Sequence, residues 1–268
     1  MRSKVLASAL LLLAAAARAK DLETFPPPDE LFPKLLAAPK QVQFGVSRYA
    51  MYGRGYSDLS LGHSWGLLRG RAGDQLTQWQ FDAQAMSFSR WSGSSLEAVD
   101  LVAFLPVSLR RGDVSAQAGP YHENSHLGDD AIRRTGRASV RTNSTGLKAL
   151  AALEPWPWLR AYGGLSFQVD GAPSPKRWGF QAGAEAATED LKVSADFPLR
   201  LYAAEDLQFP ERVGFNPNSR VAVGVKVGWK QSRKTARLQA GYFSGHSYYG
   251  QFFADREHFA DLSLIFEL

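Results

Sequence analysis

From residue 42 to the end of the chain, apolar and polar side chains alternate with a period of two. Val221, Val223, Val225, Val227 and Trp229 fall on one side of residues 220–230, and Arg220, Lys226 and Lys230 fall on the other. Only an extended strand separates neighbours this way, because successive Cβ atoms point to opposite faces of a sheet. The same spelling recurs at Leu101, Ala103, Leu105, Val107 and Leu109, and at Leu159, Ala161, Leu165 and Phe167. It returns at Trp178, Phe180, Ala182 and Ala184, at Leu191, Val193, Ala195, Phe197, Leu199 and Leu201, and at Ala260, Leu262, Leu264, Phe266 and Leu268. These runs predict twelve strands, near 42–51, 57–67, 75–89, 96–110, 113–122, 137–153, 158–169, 176–187, 190–203, 219–230, 234–245 and 257–268.

An even number of strands, most long enough to cross a bilayer at a tilt, fits a transmembrane barrel. A soluble sandwich or a lipocalin-like barrel alternates too, so the segments between strands discriminate. Those at 111–113, 154–157, 188–190 and 231–234 are short, whereas those at 123–136, 204–218 and 246–256 are long, and the two kinds fall on opposite ends. Full charges also sit mid-strand on the polar face, which a dry sandwich core would not tolerate unpaired. Trp65, Trp79, Trp158, Trp178, Trp229 and Tyr242 stand near strand ends, where interfacial girdles lie. The expected fold is all-β: an antiparallel transmembrane β-barrel of about 12 strands with short periplasmic turns and longer extracellular loops.

Residues 1–19 read as a cleavable secretory signal: a cationic start at Arg2 and Lys4, an apolar run from Val5 to Ala17, and the small-x-small triplet Ala17-Arg18-Ala19. The competing reading, a membrane anchor, needs about 20 apolar residues. Residues 20–41 lack periodicity and carry Phe25-Pro26-Pro27-Pro28 and Leu31-Phe32-Pro33. They are expected as a periplasmic arm, either a plug or cap on the barrel mouth or a disordered leader, ahead of a barrel at 42–268. The expected location is the outer membrane of a Gram-negative-type envelope, with outer-membrane lipids and lipopolysaccharide as neighbours.

Composition removes other classes. The absence of cysteine excludes a disulfide framework, a thiolate metal site and a cysteine nucleophile. A net charge of +5, three of it in the signal, comes without long basic runs and does not indicate nucleic acid. No P-loop, dinucleotide fingerprint or zinc motif is present, and no cofactor is expected.

Three segments carry a resemblance: Leu31 to Gln41, Tyr121 to Asp130 with its Ser-His-Leu-Gly-Asp core, and Gly241 to Phe252 with its Gly-Gln-Phe. Together they resemble a bacterial family of unknown function, number 1207, whose members look like outer-membrane barrels. The resemblance implies the same architecture and adds no activity.

Two places are candidates for chemistry. At the outer rim, His122, Ser125 and His126, with Asp129, Asp130 or Asn143 to orient an imidazole, are the raw material of an outer-leaflet lipid hydrolase of phospholipase or lipid A deacylase type. The order His-x-x-Ser puts His122 and Ser125 on opposite faces of any continued strand, so a bulge is required. The alternative is a folded extracellular loop. In the lumen, Arg160, Arg177, Lys192, Arg200, Arg220, Lys226, Lys230 and Arg237 face Glu185 and Asp196, with Asp82, Asp100, Asp261 and Glu267 opposite. These charges either pair across a closed polar core, or line a water-filled path favouring small anions or zwitterions. A structural or small-solute channel-type barrel is the leading expectation, ahead of catalysis.

Overall fold

The computed structural model of the chain describes residues 22–26, 31–173, 176–191, 197–229 and 232–267. Residues 1–19, read as the signal, lie outside them. Twelve barrel strands follow the arm: β1 (Phe44–Met51), β2 (Arg54–Arg71), β3 (Gln78–Ser92), β4 (Ser95–Phe104, continued by Val107–Arg111), β5 (Val114–Leu127) and β6 (Thr142–Trp156). The second half comprises β7 (Leu159–Ala172), β8 (Trp178–Ala187), β9 (Leu199–Pro210), β10 (Asn218–Trp229), β11 (Ser232–His246) and β12 (Arg256–Glu267). Each strand pairs antiparallel with the next. β12 closes the ring on β1, with Asp261 opposite Tyr49 and Phe266 opposite Phe44.

Local chemistry sets the hairpins. Tyr52 and Gly53 both take positive φ, 52° and 73°, which gives the two-residue turn whose twist matches its flanking strands. β4 breaks at Pro106, which has no N–H to give to a ladder. The break is bridged because Leu105 N–H donates to the Pro120 carbonyl and Asp82 N–H donates to the Pro106 carbonyl, each at 3.0 Å.

Alternation sorts the two faces as expected, and the sorting is inside-out. Leu101, Leu109, Val114, Leu147, Leu165, Phe180, Val223, Leu238 and Leu262 are exposed on the outside. Asp82, Arg90, Asp100, Asp206, Arg237 and Gln239 are buried on the inside.

Strand ends differ most from the expectation in three places. β5 runs on to Leu127 rather than stopping near 122, because Glu123 and Ser125 find polar partners inside the barrel. β6 spans Thr142–Trp156 rather than 137–153. β9 is Leu199–Pro210, not 190–203, since the ladder pairs Leu199 with Val227 and Tyr202 with Ala187; the expected loop at 204–218 shrinks to 211–217. Residues 192–196 of the expected strand lie outside the described residues; β8 ends at Ala187, and Leu191 bridges to Leu199 at the start of β9. The 128–141 segment carries the only α-helix among the described residues, α1 (Asp129–Thr135).

Candidate functional site

The lumen is occupied from below by the arm. Residues 31–43 thread into it, with Leu35 completely buried and Phe32 almost so, packed on Leu150, Ala152 and Tyr162 of β6 and β7. Ala37 packs on Ala204 and Ala222, small cross-strand neighbours that let the arm lie close against the wall. Burying this apolar stripe supplies the driving force, and the wall supplies direction through its polar groups. Leu36 N–H donates to Glu185 Oε1 at 2.6 Å, and Arg237 donates to the Leu36 carbonyl at 3.1 Å and to Gln43 Oε1 at 3.1 Å. Arg110 and Arg160 reach the carbonyls of Leu31 and Lys34, each at 3.5 Å.

At the arm's upper end Lys40 Nζ donates to Asp100 Oδ2 and to Glu123 Oε1, both at 2.6 Å. Burial disfavours the ammonium, but Asp100 and then Glu123 outweigh it and hold the Lys40 pKa above its ordinary value. Asp100, with no exposed side-chain surface, is the junction of the molecule. Besides Lys40 it accepts the Ser125 hydroxyl and, at 3.0 Å, the Gly250 N–H.

Gly250 belongs to the β11–β12 connection, 247–255, which folds back into the upper lumen. Gln251 N–H donates to Ser125 Oγ at 2.9 Å, and its side-chain amide donates to the carbonyls of Ser125 and Val140 at 2.8 and 2.7 Å. Tyr248 and Tyr249 close over Arg90, whose guanidinium lies 4.4 Å from the Tyr249 ring centroid and pairs with Glu257 through two bonds of 2.6 and 2.9 Å. Lys40, Ser125 and Gly250 come from the three segments that carry the family resemblance, and they meet on the Asp100 carboxylate.

Most of the expected lumen charges among the described residues pair. Arg160 bonds Glu185 (2.6 Å) and Glu154 (2.9 Å), Arg220 bonds Asp261 (2.9 Å), Lys226 bonds Glu267 (2.7 Å), and Arg237 reaches Glu267 (3.1 Å). Asp82 is buried and accepts from Gln80. Arg200 requires a correction: although its position has inward parity, it stands at the turn-side start of β9, opposite Lys226, where its side chain is exposed and pairs with Asp190 at 2.5 Å. Arg177 sits at the loop end of β8, exposed, its guanidinium 5.9 Å from the Phe167 ring. Lys192, Lys230 and Asp196 lie outside the described residues.

The rim residues do not assemble a nucleophile and base. His122, Asn124 and His126 take the outer face of β5 while Ser125 takes the inner one, because no bulge interrupts this stretch. His122 Nδ1 is 2.7 Å from Thr145 Oγ1 and its Nε2 is 2.9 Å from Asn124, whereas the Ser125 hydroxyl is spent on Asp100. Asp129 opens α1 on the surface, and Asp130 pairs with Arg133. Gly128 keeps an extended φ of −70°, and its requirement is space: a Cβ there would lie 2.0 Å from the Leu96 carbonyl oxygen. No cluster of three or more metal-ligating side chains occurs among the described residues.

Between arm and upper loops a cavity of about 270 Å³ remains, reaching from Pro33 and Lys40 to Pro173 and Arg212. Lys148 of β6 points into it. The inward parity of Lys148, shared with Leu150 and Ala152, is legible in the sequence; the pairing of Lys40 with Asp100 and Glu123 is not, because it joins segments far apart in the chain.

A family model described as "Protein of unknown function (DUF1207)" matches residues 9–267. No curated protein matches. Among solved structures, outer membrane phospholipase A from Escherichia coli aligns over 84% of this chain and 90% of its own, at 11% identity and a TM-score of 0.57. A KdgM porin aligns over 85% and 99%, at 10% identity and a TM-score of 0.46. LpxR from Salmonella typhimurium aligns over 84% and 100%, at 12% identity and 0.41. The likeness to the phospholipase A structure is one of architecture, an outer-membrane-type barrel, and at 11% identity it extends to the fold alone.

Proposed function

The chain belongs to the DUF1207 family, and on that footing we propose that it is an outer-membrane β-barrel serving as a gated conduit for small anionic or zwitterionic solutes, held shut by its own N-terminal arm. Its apolar outer wall suits lipid, with lipopolysaccharide in the outer leaflet, and its charged inner wall suits water. The observation that carries the reading is the arm itself: residues 31–43 lie in the lumen, fixed by Lys40 to Asp100 and Glu123, with a basic cavity left above them.

A conduit built this way must open by displacing the arm, because the strands themselves are locked by a closed ladder. The docked stretch is separable in principle: residues 31–43 add no strand to the ring, the arm's own ladder pairing being that of Glu23–Thr24 with Leu68 and Arg69 of β2. Removing the Lys40 charge leaves Asp100 buried beside Glu123, a defect of about 3–5 kcal/mol for a broken buried pair. Docking is thereby weakened while the ring is untouched.

Planar-bilayer recording tests this. The unaltered chain should give rare, small openings. Lys40→Glu, which sets a third carboxylate against Asp100 and Glu123, should raise open probability at least tenfold while the barrel still shows its folded, heat-modifiable band on a gel. Silence from both folded proteins would overturn the conduit.

A further inference from the structure

The cavity above the arm has a charge imbalance that the conduit reading does not by itself require. Glu123 is the one carboxylate among its lining residues, and Lys40 neutralises it. The lining cations include Lys148, Arg177 and Arg212, none of which has a carboxylate partner among the described residues. Their situations differ in a useful way. Arg177 lies at the loop end, Arg212 stacks 5.4 Å from the Phe253 ring, and Lys148 stands deep on the wall.

Lys148 is unpaired for reasons visible in the fold. Its cross-strand partners are Gly119, with no side chain, and Ser166, with a short one. The carboxylates whose charge it feels are Asp206 and Glu123, and both are already engaged. Asp206 accepts from Tyr162 (2.7 Å), Gln181 (2.6 Å) and Gln208 (2.9 Å), and Glu123 from Lys40. An ammonium in a walled cavity with every nearby acid occupied is an unmet demand for an anion. Around it the wall offers Gln117, Gln168, Asn143 and Ser166, groups that both donate to and accept from hydroxyls.

We propose that this cavity is a binding site for a small hydroxylated anion, a sugar acid or a sugar phosphate of monosaccharide size. Lys148 takes the anionic group with Arg212 above it, and the amides take the hydroxyls. The volume of about 270 Å³ sits just below the usual range of ligand pockets, which limits the occupant to one ring or its open-chain equivalent. The site names the solute class of the proposed conduit and so rests on that reading for its purpose, but binding to it does not require passage.

Equilibrium dialysis of the full chain in detergent, with radiolabelled gluconate, glucose 6-phosphate and glucose, tests the assignment. At least one anion should bind saturably and at least tenfold more tightly than glucose, with gluconate and the phosphate ranking the two sources of charge. Lys148→Met should weaken that binding at least tenfold, Lys148→Arg should restore most of it, and Arg200→Ala, at the far end of the barrel, should leave it unchanged. Equal binding of glucose and both anions, or anion binding undiminished in a folded Lys148→Met/Arg212→Met chain, would overturn the proposal. Anion binding in a chain that never conducts upholds this site and removes the conduit; conduction without saturable anion binding removes this site and leaves the conduit.

Discussion

Lys40 shows how one side chain couples chemistry to position. Its burial alone would favour the neutral amine, but Asp100 and Glu123 reverse the sign, so its folded pKa lies above the ordinary 10.5. A pKa raised by folding gives stabilisation that is fully present below the unfolded value and lost as pH rises through the folded one. The arm should therefore stay docked across neutral and moderately alkaline pH, and the unaltered barrel should begin to conduct only above about pH 10.5. Lys40→Met should be open at pH 8 already and show no further rise on alkalinisation; an identical alkaline onset in both proteins would show that another group governs docking. Ser125 teaches the converse. Read along the sequence it neighbours two histidines, yet the strand's period of two sends it inward, where its hydroxyl helps to satisfy Asp100. A serine beside histidines is a nucleophile only if the backbone turns it to them.

At the scale of elements, legibility followed the source of each constraint. The twelve strands were readable because each is dictated locally, by alternation against two different environments. Their ends were less so: β5 and β9 continue beyond the apolar run because polar residues such as Glu123 and Asp206 are satisfied by partners that sequence proximity does not reveal. The arm's docking was open between plug and disordered leader, since Leu31, Phe32 and Leu35 announce an apolar stripe without saying what covers it. Covering comes from Leu150, Tyr162 and the Ala204–Ala222 pair, which appear in the strands as ordinary inward residues. The arm's position is directly checkable because the chain has no cysteine of its own. Cysteines introduced by Ala37→Cys and Ala222→Cys should join into a disulfide in the folded barrel and give a gel shift reversed by reductant. A folded double variant whose thiols both stay free would place the arm elsewhere.

Taken whole, the molecule is a barrel turned inside out, with aliphatic side chains on its exterior and paired charge within. Ion pairs between strands along the inner wall, such as Arg220–Asp261, Arg160–Glu185 and Arg90–Glu257, hold the interior together without a continuous apolar core. Such pairs contribute little net stability against desolvation but penalise any arrangement that leaves one charge alone, so they specify a unique lumen. Three parts remote in the chain, the arm, the end of β5 and the β11–β12 loop, then converge on Asp100. Under the proposed gating, displacing any one of them removes a partner of the carboxylate that the other two share.

The most direct measurement is planar-bilayer recording of the Ala37→Cys/Ala222→Cys chain, first oxidised and then reduced in the same membrane. If the arm is the gate, the oxidised barrel is silent, and reductant brings back the sparse anion-preferring steps of the unaltered chain. Steps of equal size and frequency before and after reduction would contradict the account.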